Sequence, residues 1–399
     1  MERLIFHIDV NSAFLSWESV RRVKTGQEDL RLVPAIIGGH PDSRISVVLA
    51  KSIPAKKFGI ITGEPVSSAL RKCPGLLIGR PDFQLYAECS RAFKSICREY
   101  APVMEEFSID ECFLDMTGTS LIYPDPVATA AEIKDKVRDT LGFTVNVGVA
   151  HNKLLAKMAS DLEKPDKVHT LFPEEIPQKM WPLPVGDLFL CGKASAEKLV
   201  RANIRTIGDL AHAELSYIQK LLGNKTGRLL HEYANGIDHS PVVGQPEAPK
   251  GYSNERTFEE DVVSYETADK ILLFLSDKVA GRIRKDGVKA SCISVTVRGS
   301  DRKKRSHQKM LDHATDITNE VFIISKALIR ELWDGRAPLR LIGVSMTCLD
   351  DGTYQQYSLL DQDEKRIREQ NADKVIDEIR AKFGKDIVKR GSMLDSDIR

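Results

Sequence analysis

The sequence lacks several features that would place it in a specialised class. Its seven cysteines include no C-x-x-C pair, and an odd number of scattered thiols argues against a disulfide framework or a zinc site. No apolar stretch approaches the ~18 residues that a membrane span needs. The first residues show no basic region followed by an apolar stretch and a cleavage site, so we expect no secretory signal, no membrane partner and a cytoplasmic location.

The composition is that of a globular protein with a hidden charge asymmetry. The 399 residues are 42% hydrophobic and 29% charged, and the net charge is only +1. Between Lys278 and Lys309, however, eleven basic and two acidic residues give a local charge of +9. Such a segment is typical of a surface that binds a polyanion such as nucleic acid. The alternative is a solvated surface with acidic neighbours elsewhere in the fold.

Alternating strand and helix patterns up to about residue 170 predict an α/β domain. Apolar runs predict strands at 29–38 and 44–50, and apolar residues at helical spacing predict a helix at 82–101. Two further strands flank a turn at Ser108–Glu111, and an amphipathic helix at 125–142 ends on a glycine.

The rest of the chain predicts two smaller domains and a tail. Short helical segments separated by glycine cover 171–240, and the Pro- and Gly-rich stretch 241–251 is interpreted as a linker. Residues 252–349 follow a β-α-β-β-α-β pattern, provided that HQKMLDH (307–313) forms a strand. The tail begins polar and then contains one charged helix at 362–383.

The apolar run LIFHIDV (4–10) predicts a short buried strand that contains one carboxylate, Asp9. A buried carboxylate is costly unless it is paired or binds a metal. Asp110 and Glu111 lie in a turn between apolar residues, and three carboxylates brought together would repel unless a divalent cation lay among them. Oxygen ligands favour magnesium or manganese, and two such ions form a clamp for phosphoryl transfer. Asp-Glu pairs at turns are usually solvated, which is the alternative.

Four motifs together resemble one family. They are IDVNSAFLSWE (8–18), AKKFGIITGEP (55–65), FSIDECFLDMTG (107–118) and VNVGVAHNKLLAKMASDLEKPD (145–166). In this order and spacing they resemble the Y-family, or translesion, DNA polymerases, and within them the bacterial DNA polymerase IV-like group. The resemblance implies a template-directed, low-fidelity DNA polymerase for lesion bypass, which adds dNTPs to a primer 3′-hydroxyl and releases pyrophosphate.

The resemblance also implies a multidomain α/β (α+β) fold shaped like a right hand. The expected domains are a catalytic palm (1–25 and 79–170), fingers (26–78), a helical thumb (171–240), a linker (241–251), a DNA-binding little finger (252–349) and a C-terminal tail (350–399).

Residue roles follow from the same resemblance. The carboxylates of Asp9, Asp110 and Glu111 would be catalytic and would hold two Mg²⁺ ions, or Mn²⁺, together with the backbone carbonyl of Val10. Phe14 would be the steric gate that excludes a ribose 2′-hydroxyl. The expected nucleotide-binding residues are Phe14, Ser52, Lys56 and Lys164. The expected DNA-binding residues are Lys285, Lys289, Arg298, Arg302, Lys303, Lys304 and Arg305.

Two departures from the family pattern affect these expectations. Ile53 and Lys56 stand where most relatives have a tyrosine and an arginine that contact the triphosphate. Lysine keeps the charge but loses the bidentate fork, so nucleotide affinity or fidelity is expected to differ. The thumb sequence Phe189–Gly192 replaces a P-G-x-G turn whose backbone amides would bind DNA phosphates.

The tail contains QQYSLL (355–360), which resembles the peptide that docks bacterial polymerases on the sliding clamp. Gln356, Leu359 and Leu360 would be its anchors. The expected partners are therefore primer–template DNA, dNTPs and the clamp, with the chain itself a monomer. Two alternatives stay open. A non-catalytic mutagenesis accessory is disfavoured by the three carboxylates, and a nucleotidyl cyclase is disfavoured by the helical and basic domains.

Overall fold

A computed structural model of the chain describes residues 3–245, 247–350, 364–384 and 387–388. The chain divides into two compact units, Met1–Pro246 (unit 1) and Glu247–Arg399 (unit 2). In these described ranges, no helix is both long enough and apolar enough to cross a membrane.

Unit 1 combines two sheets with helices. Its strands are β1 (Ile5–Val10), β2 (Ala35–Gly38), β3 (Val48–Lys51), β4 (Leu77–Gly79), β5 (Val103–Glu106), β6 (Glu111–Asp115), β7 (Val145–Ala150) and β8 (Val168–Thr170). Its α-helices are α1 (Ala13–Lys24), α2 (Ile53–Lys56), α3 (Val66–Lys72), α4 (Phe83–Arg98), α5 (Pro126–Leu141), α6 (Lys153–Asp161), α7 (Ile176–Lys179), α8 (Lys193–Arg201), α9 (Ile207–His212), α10 (Leu215–Leu222) and α11 (Asn224–Ala234).

Strand β1 lies at the centre of a five-stranded sheet of order β5-β6-β1-β7-β8. Alternate side chains of a strand point to opposite faces. Phe6 and Ile8 join the core that includes residues of α1, α4 and α5, whereas Ile5 joins the core that includes residues of α6. Both faces of β1 are covered, which explains why its sequence is a nearly continuous apolar run. Asp9 is four residues after Ile5 and therefore lies on the face that α6 covers.

A second sheet, of order β3-β2-β4, forms within the segment that was expected to be the fingers. The strands predicted at 29–38 and 44–50 are both shorter than expected. The carboxylate of Asp29 accepts hydrogen bonds from the backbone N–H and guanidinium of Arg31, which closes a turn ahead of β2. A turn at Ser46 similarly precedes β3. Side-chain bonding therefore overrides the apolar pattern before β2, and a backbone turn does so before β3.

The helical region after β8 contains the altered turn at Phe189–Gly192. Leu190 adopts a left-handed backbone conformation with φ of 64° and is 57% exposed. This conformation costs a non-glycine residue about 1–2 kcal/mol. The ring of Phe189 stacks on Tyr233 with centroids 6.4 Å apart. Leu190 thus takes the place of the first glycine of the expected P-G-x-G turn, and the residue before it packs on an aromatic ring.

Unit 2 contains β9 (Gly251–Val262), α12 (Tyr265–Lys285), β10 (Lys289–Gly299), β11 (Lys304–Thr315), α13 (Thr318–Leu332), β12 (Leu339–Asp350) and α14 (Glu364–Phe383). The β-α-β-β-α-β prediction is confirmed, and HQKMLDH lies within β11. The antiparallel sheet has the order β11-β10-β12-β9. Ile293, Val295 and Val297 of β10 pack into a core with α12 and α13, so the alternate residues of this strand point to the other face.

Helix α14 contacts the rest of unit 2 through charged side chains. Arg284, whose side chain is 6% exposed, donates to Asp373 (3.1 Å) and Asp377 (2.6 Å) of α14. Asp373 also accepts a hydrogen bond of 2.8 Å from the backbone N–H of Thr318, the first residue of α13. Asp373 thereby caps a helix whose own N-cap residue, Ile317, has no side-chain oxygen.

We expect Asp373→Ala to loosen α13, because it leaves the Thr318 N–H uncapped and removes one partner of a buried ion pair. Breaking such a pair costs about 3 kcal/mol, which corresponds to about 100-fold faster amide hydrogen exchange across Thr318–Leu332. Hydrogen exchange with mass spectrometry measures this in the full chain. The control is Lys374→Ala at the exposed neighbouring position. Equal exchange in the two variants would contradict the prediction.

Candidate active site

The pairing of β1 with β6 brings two carboxylates face to face. Asp9 is the direct cross-strand partner of Glu111, and both side chains are 14% exposed. Side chains in such positions have Cβ atoms about 4.5–5.5 Å apart, where like charges destabilise the sheet. This site therefore needs a cation to be stable at neutral pH.

Two lysines supply that positive charge in the structure. Lys164 contacts the Asp9 carboxylate and also lies 2.8 Å from Asp161. Lys157 of α6 donates to Oε2 of Glu111 at 2.7 Å. Each carboxylate that faces the other across the strands thus has its own ammonium group.

Asp110 sits in the turn immediately before β6. Its Oδ1 accepts a hydrogen bond of 2.6 Å from Ser108 Oγ, and its backbone carbonyl accepts one of 3.0 Å from the N–H of Val10. The second bond ties the end of β1 to the turn. The predicted ligands Asp9, Val10, Asp110 and Glu111 are therefore brought to one edge of the sheet.

The atoms of these four residues that could coordinate a cation are all oxygens, which magnesium and manganese prefer. Among the described residues, however, no group of three or more His, Cys, Asp or Glu side chains is arranged as a metal cage. Instead, the ammonium groups of Lys157 and Lys164 lie against Glu111 and Asp9. A divalent cation would have to take over the contact of at least one lysine.

The close packing of α6 on β7 places Lys157 on this face. A Cβ at Gly148 would lie 2.0 Å from the backbone oxygen of Ala156, so only glycine permits this approach. Lys164 follows α6 in a loop held by two asparagines. Asn146 donates to the carbonyl of Glu163 at 2.6 Å, and Asn11 accepts from the N–H of Asp166 at 3.0 Å.

Burial and hydrogen bonding shift the two facing carboxyl groups in opposite directions. Burial raises the pKa of Asp9 above its ordinary value, and Lys164 opposes this only in part. Burial also acts to raise the pKa of Glu111, but hydrogen bonds from His7 and Lys157 outweigh it and lower this pKa to about 2. Burial lowers the pKa of His7, so its ring is neutral at pH 7. Glu111 is thus the more firmly ionised carboxylate.

Phe14 lies in the first turn of α1 and belongs to an aromatic cluster. Its ring stacks on Tyr86 with centroids 4.4 Å apart and meets the edge of Phe83 at 6.2 Å. The ring is half-buried. Aromatic packing therefore holds Phe14 in one orientation.

The predicted nucleotide-binding residues of the α2 segment have different surroundings. Ser52 is 2% exposed, and its hydroxyl bonds to Val33 O, Ala35 N and Ala55 N at 2.7–3.1 Å. Lys56 is exposed at the end of α2. Only Lys56 of this pair has its polar group on the surface.

The predicted DNA-binding residues of unit 2 form two groups. Lys285 is the last residue of α12 and Lys289 is the first residue of β10, whereas Arg298 lies near the other end of β10, about 30 Å from Lys289 at the usual rise per residue. The second group surrounds the β10–β11 hairpin: Arg298, Arg302, Lys303, Lys304 and Arg305. Arg298 and Lys304 are direct cross-strand partners. Two like charges in this position favour a bound anion.

The basic segment also contains residues with structural partners. Arg284 is buried against α14, and Lys304 forms an ion pair of 3.2 Å with Glu255. Acidic neighbours elsewhere in the fold therefore offset part of the local charge. The predicted clamp peptide, Gln356, Leu359 and Leu360, lies outside the described residues.

Sequence reasoning missed several residues of the site. His7, Lys157 and Ser160 surround Glu111, and Asn11 and Asn146 hold the Lys164 loop. One signal was available for His7, because it is two residues before Asp9 in a strand and must share its face. Lys157 and Ser160 carry no comparable signal, since many polar residues of helices face solvent.

Comparisons with known proteins cover nearly the whole chain. The model of the impB/mucB/samB family matches residues 8–161, and the model of that family's C-terminal domain matches 249–359. A model described as the DNA polymerase-iota thumb domain matches 187–238. The three matches follow one another in the order expected for one polymerase.

Full-length relatives of this chain are named as forms of DNA polymerase IV. DNA polymerase IV of Clostridium acetobutylicum is 43% identical over 398 residues, which is 100% of both chains. DNA polymerase IV of Acetivibrio thermocellus is 34% identical, over 99% of this chain and 98% of the relative. DNA polymerase IV 1 of Bacillus subtilis is 33% identical, over 98% of this chain and 93% of the relative.

A solved structure also matches. A Y-family DNA polymerase chimera of Dbh and Dpo4 has a TM-score of 0.76 and 21% identity, and the match covers 86% of this chain and 98% of the chimera. At this identity the likeness concerns the fold, and it confirms the predicted α/β polymerase fold.

The low pKa of Glu111 predicts an acid-dependent loss of stability. Because this pKa is about 2 in the folded state and 4.5 for an unperturbed glutamate, the stabilising effect is complete above pH 4.5 and is lost as the pH falls toward 2. The unfolding free energy of wild type minus that of Glu111→Gln should fall by about 1 kcal/mol between about pH 7 and pH 4. Denaturant titrations at each pH measure it. A difference that is independent of pH would contradict the assignment.

Proposed function

The chain belongs to the bacterial DNA polymerase IV group of the Y-family DNA polymerases, and we propose that Asp9, Asp110 and Glu111 form its catalytic centre. It is a DNA-directed DNA polymerase of the translesion class, with primer–template DNA and dNTPs as substrates. The observation that carries the proposal is the register of β1 and β6, which sets Asp9 opposite Glu111 beside Asp110.

The three carboxylates and the backbone carbonyl of Val10 would hold two Mg²⁺ ions, with Mn²⁺ as a substitute. Held at this edge, the ions would supply Lewis acidity for the primer 3′-hydroxyl that attacks the α-phosphate, and positive charge for the departing pyrophosphate. Asp9 and Asp110 would contribute to both positions. Glu111 would serve the position next to the primer, where its low pKa keeps it ionised.

Lys164 and Lys56 would bind the triphosphate. Lys164 rests on Asp9 in the structure, and its loop is fixed by Asn11 and Asn146. Release from Asp9 would free its ammonium group for phosphate oxygens, which lysine binds as a point charge. Ser52 would act on the nucleotide through the shape of the α2 segment, because its hydroxyl is bonded to backbone groups.

Unit 2 would bind the DNA backbone through its sheet. The face of β10 that points away from α12 and α13 carries Ser294, Thr296 and Arg298, next to Lys304 and Ser306 of β11. Hydroxyl and basic groups of this kind contact phosphates without reading bases. The basic residues Lys285, Lys289, Arg302, Lys303 and Arg305 would add electrostatic attraction.

The remaining partners and the location are part of the proposal. The tail peptide Gln356, Leu359 and Leu360 would dock on the sliding clamp, and the chain would work as a cytoplasmic monomer. The bacterial relatives support the location. The relatives' names support an enzyme, so the accessory and cyclase alternatives are not retained.

Asp110→Asn should abolish primer extension with Mg²⁺, with a loss of at least about 100-fold, because a neutral amide is a poor cation ligand. Extension of a labelled primer on an undamaged template measures it. Asp115→Asn, at the far end of β6, is the matched control and should stay active, since Asn retains the acceptor for the Thr117 N–H. Full activity of Asp110→Asn with intact DNA binding would overturn the assignment.

Phe14→Ala should increase ribonucleotide incorporation relative to deoxyribonucleotide incorporation by about 100-fold, because the space for a 2′-hydroxyl opens. Single-nucleotide incorporation with each dNTP and its rNTP gives the ratio of kcat/KM values. Phe83→Ala removes only an edge contact to the Phe14 ring and should change the ratio much less. An unchanged ratio in Phe14→Ala would show that another group selects the sugar.

A further inference from the structure

His7 is a fully buried polar residue next to the catalytic centre, and the mechanism above does not use it. It lies on β1 two residues before Asp9 and is 0% exposed. Its Nε2 is 3.0 Å from Oε2 of Glu111, and its Nδ1 is 2.8 Å from Oγ of Ser160. Ser160 on α6 is also 0% exposed. Both ring nitrogens therefore have a defined partner inside the protein.

The hydrogen bonds fix which ring nitrogen is a donor. Oγ of Ser160 lies 2.8 Å from His7 Nδ1 and 2.8 Å from the carbonyl oxygen of Lys157, yet a hydroxyl has one proton to donate. If the hydroxyl donates to Nδ1, the proton of the neutral ring is on Nε2. If it donated to the carbonyl, Nδ1 would have to carry the only proton of the neutral ring to bond with Oγ, and an unprotonated Nε2 would face a carboxylate that can only accept. The first arrangement therefore holds, and Nε2 donates to Glu111.

The two donors to Glu111 share one oxygen. His7 and Lys157 both bond to Oε2, at 3.0 and 2.7 Å, so neither of them uses Oε1. The two donors differ in stiffness. The lysine ammonium is on a flexible stem, whereas the His7 ring packs on Phe113 with centroids 4.6 Å apart. The imidazole is therefore the rigid element that sets the orientation of the carboxylate.

We propose that His7 is a positioning residue that holds Oε2 of Glu111 and presents Oε1 to the divalent cation beside the primer 3′-hydroxyl, with Ser160 fixing the direction of its hydrogen bonds. This inference rests on the proposed role of Glu111 as a cation ligand. Groups that orient a ligand in this way typically change metal affinity by 10- to 100-fold when removed.

The test uses two variants that divide the functions of the ring. The amide nitrogen of glutamine reaches roughly as far as Nε2, so His7→Gln keeps a donor for Glu111 and loses the contact with Ser160. The amide of the shorter asparagine reaches only as far as Nδ1, so His7→Asn keeps the Ser160 contact and loses Glu111. Both variants lose ring packing on Phe113, which makes them matched controls for stability.

The readout is Mn²⁺ binding, measured by electron paramagnetic resonance on the full chain with primer–template DNA and a non-hydrolysable α,β-imido dNTP. We expect His7→Asn to weaken one Mn²⁺ site by about 10-fold or more, and His7→Gln to stay within about 2-fold of wild type. Ser160→Ala should give an intermediate loss. Equal weakening in His7→Asn and His7→Gln, or wild-type binding in His7→Asn, would overturn the inference.

Glu111→Gln separates this inference from the proposed function. If Glu111→Gln loses one Mn²⁺ site and His7→Asn does not, the ligand role of Glu111 stands and the positioning role of His7 is wrong. If Glu111→Gln binds both ions like wild type, the ligand assignment itself is wrong, and the inference falls with it. Thermal unfolding of each variant identifies losses that reflect a damaged fold.

Discussion

Repulsion between the carboxylates of Asp9 and Glu111 is the constraint on which the organisation of unit 1 depends. The register of β1 and β6 makes them direct neighbours, and both are largely shielded from water. Solvent screening therefore does little to relieve the repulsion, and positive charge must be brought in by the fold or by ligands. The same geometry that makes the site unfavourable without cations is what the proposed divalent ions would stabilise.

Helix α6 and the loop that follows it bring the positive charge that offsets this repulsion. Gly148 lets α6 approach β7, so Lys157 and Ser160 reach the carboxylate face. The loop then returns along Asn146 and places Lys164 on Asp9. Lysine contacts are easily exchanged, since the ammonium is a point charge on a flexible stem. The lysines thus neutralise the site through contacts that the proposed cations and triphosphate would replace.

Much of this could be predicted from the sequence because strand patterns carry strong signals. The buried carboxylate in LIFHIDV, the Asp110–Glu111 turn and the β-α-β-β-α-β pattern of unit 2 all rest on short-range periodicity, and that pattern is confirmed. The strand predicted at 29–38 is longer than the observed β2, because hydrogen bonds from Arg31 to the Asp29 carboxylate close a turn within the apolar run. Short-range periodicity therefore predicts strands well, except where a polar side chain forms hydrogen bonds with the backbone and closes a turn instead.

Contacts between distant segments could not be predicted in the same way. Nothing in the spacing of residues indicates that Lys157 bonds to Glu111, or that Arg284 in a basic run is buried against Asp373 of a later helix. These contacts depend on how α6 and α14 are docked, which sequence periodicity does not specify. The family resemblance supplied residue roles at the active site but gave no indication of these supporting contacts.

The most direct test of this account is a crystal structure of the chain with primer–template DNA, an α,β-imido dNTP and Mn²⁺, with the ions located by anomalous scattering. The account predicts two anomalous peaks within coordination distance of Asp9, Asp110 and Glu111, and Lys164 displaced from Asp9 onto the triphosphate. Mn²⁺ bound elsewhere, with Lys164 and Lys157 still on Asp9 and Glu111, would contradict it.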